Sequence, residues 1–475
     1  MEPVRDDSRR ALQAAFEAAV AYLASLNGRS VAATASLDQL RAQWLVPLSE
    51  AGAPPEQIIR EMAAQADPGT VASAGGRFFG WVIGGSLPAA LAADWLTSVW
   101  DQNAALFACS PAAAVIEEAA GAWLKDLLGL PSEAAFALVT GCQMAHVTCL
   151  AAARHAVLDA QGWDLAKSGL FGAPAITVFT SGARHATTDR ALRLLGIGAA
   201  SIRLLETDEQ DRLRPAALEA ALRGHGPKPA IVVLQAGEIN LGAFDDFAAL
   251  IPIARAHRAW VHVDGAFGLW AAASPRHRQH VRGIELADSW ATDGHKWLNV
   301  PYDCGYAFVA RPDALRCAMT AQAAYITHDD LARNPVDFNP EWSRRGRGFA
   351  TYAALRQLGR TGVAELIDRC SLHAQALVRD LGRLPGAELL WAPTLNQGLV
   401  RFLHPRLGAT EADHDRRTDQ VIGAIAAEGE AFFTGTTWRG RRAMRISVCN
   451  WQTSARDVER AIAAAARVLQ NNLPD

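Results

Sequence analysis

The chain has 475 residues, half of them hydrophobic and a fifth charged, with a formal net charge of −3. That length exceeds one compact core and implies two or three folding units of an ordinary soluble globular protein. Acids and bases are mixed along the chain with no basic block or stripe, which argues against nucleic acid and anionic membranes as partners.

The stretch from Met1 to Arg10 lacks the apolar run of a secretory signal, and a cytoplasmic location is expected. Residues 8–70 read as helices, since apolar residues recur at helical spacing over 11–26 and 58–66 with a proline pair at 54–55 between them. From about residue 75, short apolar runs alternate with longer helical ones. Buried strands are predicted at 135–139, 175–179, 201–205, 230–234, 260–263, 289–292 and 305–309. Helices at 145–158, 187–195, 215–222 and 247–257 separate most of them, and this alternation indicates a largely parallel α/β sheet. One uncharged run, 134–153, imitates a membrane span, but Gly141, Gln143 and His146 near its middle favour a buried strand passing through a glycine turn into a packed helix. Beyond Gly359 a long helix (363–384), strands at 399–402 and 443–448, and a final helix (457–469) suggest a smaller α+β unit. The expected organisation is a helical segment (1–75), a large α/β domain (76–358) and a small C-terminal domain (359–475).

Seven cysteines occur without a Cys-x-x-Cys pair or metal-ligand spacing, so reduced thiols and no metal are expected. Only four lysines stand against 42 arginines, and of the four only Lys296 has apolar flanks, in His295-Lys-Trp-Leu298.

In open α/β sheets, ligands bind where strands end and loops begin. Asp264 closes the run Trp260-Val-His-Val263, where it serves either as a turn cap or as the charge partner of a protonated heteroaromatic nitrogen. Lys296 follows the next strand; partial desolvation there is expected to lower its pKa and leave a reactive amine. Gly141, between a strand and a helix, exposes backbone N–H groups to an anion. A lysine that condenses with an aldehyde, an aspartate that keeps a pyridine protonated and a phosphate cradle are what pyridoxal 5′-phosphate (PLP) requires.

With these motifs the chain resembles the group II PLP-dependent amino-acid decarboxylases, relatives of aromatic L-amino-acid decarboxylase. The likeness rests on Asp288-Ser…His295-Lys-Trp-Leu298…Asp303-Cys304, on His262-Val-Asp264-Gly-Ala266 and on Thr180-Ser-Gly-Ala-Arg-His185. It implies PLP fold type I, as in aspartate aminotransferase, with Lys296 holding the cofactor as a Schiff base. His185 is then expected to stack on the ring, Ala266 to pack under it, and Gly141, Cys142, Gln143, His295 and Asp293 to lie around the phosphate side. Phe78, Phe79 and Trp81 match the substrate-side aromatic segment, and Phe107 lies in a stretch (100–111) that lines the pocket across a dimer interface. Tyr325 falls where the family carries a loop tyrosine that protonates the former α-carbon, a residue that favours simple decarboxylation over aldehyde synthesis.

The resemblance thus implies a homodimer with shared active sites that decarboxylates an L-amino acid, preferably aromatic, to the amine. Transamination or Cα–Cβ cleavage is the alternative, and a non-catalytic role for the fold a third reading. Three departures bear on the substrate. Asp293 replaces a neutral residue and would repel phosphate unless turned away or protonated. Gln143-Met144 replaces a Ser/Thr-Glu pair, and 235–240, with Glu238, departs from a Gly-Thr-Thr stretch. Arg344, Arg345 and Arg347 are open between binding a second carboxylate and forming salt bridges.

Overall fold

The computed structural model describes residues 3–320 and 332–471. Seven strands form the central sheet: β1 (Ala135–Val139), β2 (Thr177–Ser181), β3 (Ile202–Leu205), β4 (Ala230–Gln235), β5 (Trp260–Asp264), β6 (Ser289–Asp293) and β7 (Gly305–Val309). Their spatial order is β1-β7-β6-β5-β4-β2-β3. All run in one direction except β7, which is antiparallel to both of its neighbours. β1, β4, β5, β6 and β7 are buried along their whole length, as continuous apolar strands covered on both faces should be. The uncharged run is indeed β1, a glycine turn and the helix Cys142–Asp159, which packs across β5, β6 and β7. Among the described residues no helix is long and apolar enough to cross a membrane.

A second, antiparallel sheet follows, ordered β10-β11-β9-β8 from β8 (Ala387–Trp391), β9 (Gln397–Phe402), β10 (Thr434–Trp438) and β11 (Arg441–Ser447). The helices Gly348–Leu381, Glu411–Glu428 and Ala455–Gln470 accompany it, the last two begun by capping boxes from Thr410 with Asp413 and from Ser454 with Asp457. The long helix starts well before the expected residue 363 and breaks only at Gly359, where φ is 61°. Polar bridges tie the two sheets' units together. Asn299, just past Lys296, donates to the Cys449 carbonyl (3.0 Å) and accepts from Trp451 N–H (3.0 Å).

The parallel strands end together. β5 delivers Asp264, β6 delivers Asp293 and then Lys296, β1 delivers the Gly141 turn, and β2 leads into His185. The fold therefore gathers at one end of the sheet the residues that the sequence motifs scatter over nearly a third of the chain.

Candidate active site

Lys296 Nζ lies 3.0 Å from Asp293 Oδ2, and both side chains are largely enclosed. Burial alone would lower the lysine pKa, but Asp293, with help from Asp264, outweighs it, so the ammonium is held above its ordinary range. The expectation of a depressed lysine pKa is therefore corrected. The apolar flank of Trp297 and Leu298 does desolvate the site, but the same turn brings in a compensating carboxylate. His295 stacks on Tyr302, its Nδ1–H donates to the Cys304 carbonyl (2.9 Å), and burial lowers its pKa against the pull of Asp293. It braces the lysine turn.

Asp293 is not turned away. Its Oδ1 accepts the Cys142 N–H at 2.6 Å, placing a carboxylate at the N-terminus of the helix Cys142–Asp159. Gly141 precedes that helix with φ 158° and ψ 176°, a conformation essentially reserved for glycine. Gly305 of β7 presses on the turn so closely that a Cβ there would lie 2.4 Å from the Gly141 carbonyl carbon. The turn is thus fixed from behind and presents N–H groups to an anion, which in this structure is Asp293 itself. Gln143 reaches sideways to the Thr187 carbonyl (3.2 Å), and the Cys142 thiol is buried with its pKa raised well above the usual value by burial and by the nearby carboxylates Asp293 and Asp264.

Asp264 is buried, and its Oδ1 accepts the Ala266 N–H at 3.2 Å. Burial would raise its pKa, but His146, whose Nε2 stands 3.5 Å from Oδ2, turns the balance and holds the carboxyl below the usual range. His185 caps the helix Ala186–Leu194 through Thr187 and is exposed above this site. Partial desolvation lowers its pKa, Asp264 opposes that, and Lys296 adds to it, which places the imidazole within electrostatic range of both.

The substrate-side residues separate. Phe79 is fully buried, stacked 5.3 Å from Phe433, and belongs to the core, so the structure does not present it to a substrate. Its hydrophobic alternation partner Trp81 is exposed and sits 5.7 Å from Phe432, which stacks on Phe78 at 5.0 Å. Three residues past Trp81 the chain reaches the lysine turn, where Gly84 N–H donates to the His295 carbonyl and a Cβ on Gly84 would meet the Lys296 carbonyl oxygen. Phe107 is half-buried, its N–H bonded to Asn334 Oδ1 (3.2 Å). Arg344, Arg345 and Arg347 are engaged with Glu117, Asp94, and Asp303 with Glu341 respectively, so salt-bridging is what they do. Glu238 accepts from the backbone of Asn240 and Leu241 and so folds its own loop. Tyr325 lies outside the described residues.

Two features escaped the sequence. His146, Cys142 and Asp264 bring one ligand atom each within 4.8 Å of one another, a grouping that no motif spacing reveals. Arg445, on β11, is buried; its Nη1 donates to the Ile239 carbonyl (3.2 Å) and its Nε has no hydrogen-bond partner. Burial lowers its pKa to about 10, with only partial compensation from Glu238. The signal was the arginine inside an apolar strand, Ala443-Met-Arg-Ile446, where a charge is costly without a function.

An amine, a buried carboxylate held ionised and a helix N-terminus that already takes an anion meet at the ends of parallel strands. These are the attachment point, ring partner and phosphate cradle of a PLP enzyme, and the residues present fit that cofactor. The family model described as "Pyridoxal-dependent decarboxylase conserved domain" matches residues 38–403. The chain belongs to this family and is a PLP-dependent carboxy-lyase acting on an L-amino acid. It is 26% identical over 451 residues to the aromatic-L-amino-acid decarboxylase of Bacillus atrophaeus, covering 94% of this chain and 92% of that protein. It is also 26% identical to human acidic amino acid decarboxylase GADL1, over 79% of this chain and 72% of that one. The fold matches a crystal structure of Oryza sativa TDC with PLP and tryptamine, at a TM-score of 0.91 and 24% identity over 99% of each chain. Mouse CSAD matches at a TM-score of 0.89 and 24% identity, over 99% of this chain and 100% of that one.

Proposed function

We propose that the enzyme decarboxylates L-amino acids with aromatic side chains, using Lys296, Asp264, His185 and Tyr325, in the cytoplasm and as a homodimer. The observation that carries the aromatic preference is the exposed Trp81, backed by Phe432 and Phe78, on a segment bonded directly to the lysine turn. An exposed indole face on that segment favours stacking over charge pairing. The relatives include both aromatic and acidic decarboxylases, so the side chain is a matter for this local geometry.

Bound PLP supplies an aldehyde for the lysine and an electron-withdrawing ring that takes up the electron pair left as carbon dioxide departs. The protein's own residues do the rest. Lys296 would be the attachment point, and Asp293 beside it holds and aims its side chain. Asp264 would hold the proton of the ring nitrogen, and His185 and Ala266 would border the ring. The backbone N–H groups after Gly141 and the side chains of Cys142, Gln143 and His295 border the phosphate end. Arg445, a buried cation without a carboxylate partner among the described residues, orients the substrate's α-carboxylate. Tyr325 returns a proton to Cα.

The homodimer is supported by an apolar surface that a monomer would leave in water. Phe16 on the helix Pro3–Ser25, and Trp95, Leu96 and Val99 on the helix Pro88–Trp100, are exposed around one groove. Seven free cysteines agree with a reducing compartment.

The test is a panel of aromatic and acidic L-amino acids with carbon dioxide, amine, keto acid and aldehyde measured separately. Carbon dioxide and amine from the aromatic set is the expected result; turnover confined to acidic substrates defeats the aromatic assignment. Replacing Tyr325 with Phe is expected to shift product from amine toward aldehyde, and an unchanged product ratio removes Tyr325 from the proton-donor role.

A further inference from the structure

A line of buried side chains runs away from Asp264. His146 Nε2 stands 3.5 Å from Asp264 Oδ2, His146 Nδ1 meets His262 Nε2 at 2.9 Å, and His262 Nδ1 meets Ser289 Oγ at 2.9 Å. The Trp260 indole N–H donates to the same Ser289 oxygen at 2.9 Å. Trp260, His262 and Asp264 alternate along β5 and so share one face, Ser289 is the β6 partner of His262, and His146 comes from the helix packed over both strands. All five side chains are buried.

The chemistry of the two ends fixes the direction of the line. An indole nitrogen only donates, and an ionised carboxylate only accepts. His146 Nε2 therefore carries its hydrogen toward Asp264. A neutral imidazole has one N–H, so His146 Nδ1 accepts and His262 Nε2 donates to it. His262 Nδ1 then accepts from the Ser289 hydroxyl, whose oxygen accepts from Trp260. Every polar atom is satisfied, and every hydrogen points at Asp264. A second proton on His146 would set two N–H groups against each other across 2.9 Å unless His262 reversed its tautomer. Burial opposes charge on His262 as well, pushing its pKa down to about 3. The Cys142 thiol, 3.4 Å from the same His146 Nε2, supplies a weak second acceptor on that side.

We propose that His146, His262, Ser289 and Trp260 form a one-way hydrogen-bond relay that keeps Asp264 ionised and aimed at the ring nitrogen, making the two histidines positioning residues for decarboxylation. This rests on the reading of Asp264 as the ring's partner. A carboxylate left without its donor would rotate toward other groups or take a proton, and the ring would lose the charge that makes it an electron sink.

The experiment compares the wild-type holoenzyme with His146→Leu, His146→Gln, His262→Leu, His262→Gln, Ser289→Ala and Asp264→Asn. Cofactor affinity, the absorbance band of bound cofactor and the melting temperature of the cofactor-free protein are read for each. His146→Leu is expected to weaken PLP binding by about tenfold or more, the scale of a lost hydrogen bond to a charged group, and to shift the band. His146→Gln and His262→Gln place an amide N–H near the lost Nε2 and are expected to recover most of both. Ser289→Ala, the mildest change, is expected to shift the band in the same direction with little change in melting. If Asp264→Asn alters affinity and band while His146→Leu and His262→Leu match wild type, the relay is refuted and the Asp264 assignment stands. If Asp264→Asn itself leaves both unchanged, the assignment and the relay fall together.

Discussion

Replacing Asp293 with asparagine isolates the ion pair at the centre of the site. The change removes the negative charge 3.0 Å from Lys296 Nζ, but its amide oxygen still accepts the Cys142 N–H, so the helix terminus keeps its partner. At 3.0 Å and an effective dielectric of about 20, the attraction is about 5 kcal/mol, and removing one member of a buried pair costs about 3–5 kcal/mol. At about 2.1 cal/mol/K per residue, unfolding 475 residues carries an entropy of about 1 kcal/mol/K. The melting temperature of the cofactor-free protein should therefore fall by about 3–5 °C at pH 7.

The pH dependence has a definite sign. Lys296 is raised in the folded state above its ordinary 10.5, so the stability it contributes is fully present below 10.5 and is lost as pH climbs through the higher folded value. In the asparagine variant only the weaker pull of Asp264 is left to oppose burial, and the lysine sheds its proton more readily. The gap between the two melting curves should thus be widest near neutrality and close as the solution becomes alkaline. Scanning calorimetry from pH 7 to above pH 10.5 reads it directly; equal melting at pH 7, or a gap that widens with pH, refutes the ion-pair reasoning.

Arg445→Met should raise KM for the amino acid about tenfold or more, because a charge-assisted hydrogen bond contributes about 1.5–3 kcal/mol. Steady-state kinetics with unchanged KM would remove the arginine from substrate binding. Glu117→Ala leaves Arg344 and Arg333 unpaired in a buried setting and should destabilise the fold by about 3–5 kcal/mol, measured by denaturant titration, while the bound-cofactor absorbance stays as in wild type.

Much of the fold was legible because its central strands are short uninterrupted apolar runs. Residues 135–139 and 305–309 form strands at their expected limits, and β4, β5 and β6 extend only one residue further than their patterns. β8 and β10 were not legible: they are only partly buried, and sequences such as Thr434-Gly-Thr-Thr-Trp438 offer neither alternation nor an apolar run. The start of the helix Gly348–Leu381 was hidden by glycines at 348, 359 and 362, which weaken a helical pattern that packing nevertheless enforces.

At the site, Lys296, Asp264 and Gly141 were legible because each ends a strand, where a polar residue next to a buried run has few structural uses. What was hidden depends on partners far away in sequence. The raised lysine pKa needs the orientation of Asp293. The role of His146 needs the helix Cys142–Asp159 to lie over β5, and the isolation of Arg445 needs the small sheet to close against the loop carrying Ile239. Phe79 and Trp81 illustrate the same limit, since one aromatic motif sends one ring into the core and the other to the surface.

Borohydride reduction of the PLP-loaded protein, followed by proteolysis and mass spectrometry, tests the attachment point most directly. With lysines only at 125, 167, 228 and 296, the pyridoxyl-phosphate adduct should appear on the peptide that contains Lys296 and on no other. An adduct at another lysine, or a holoenzyme that yields none, contradicts the assignment.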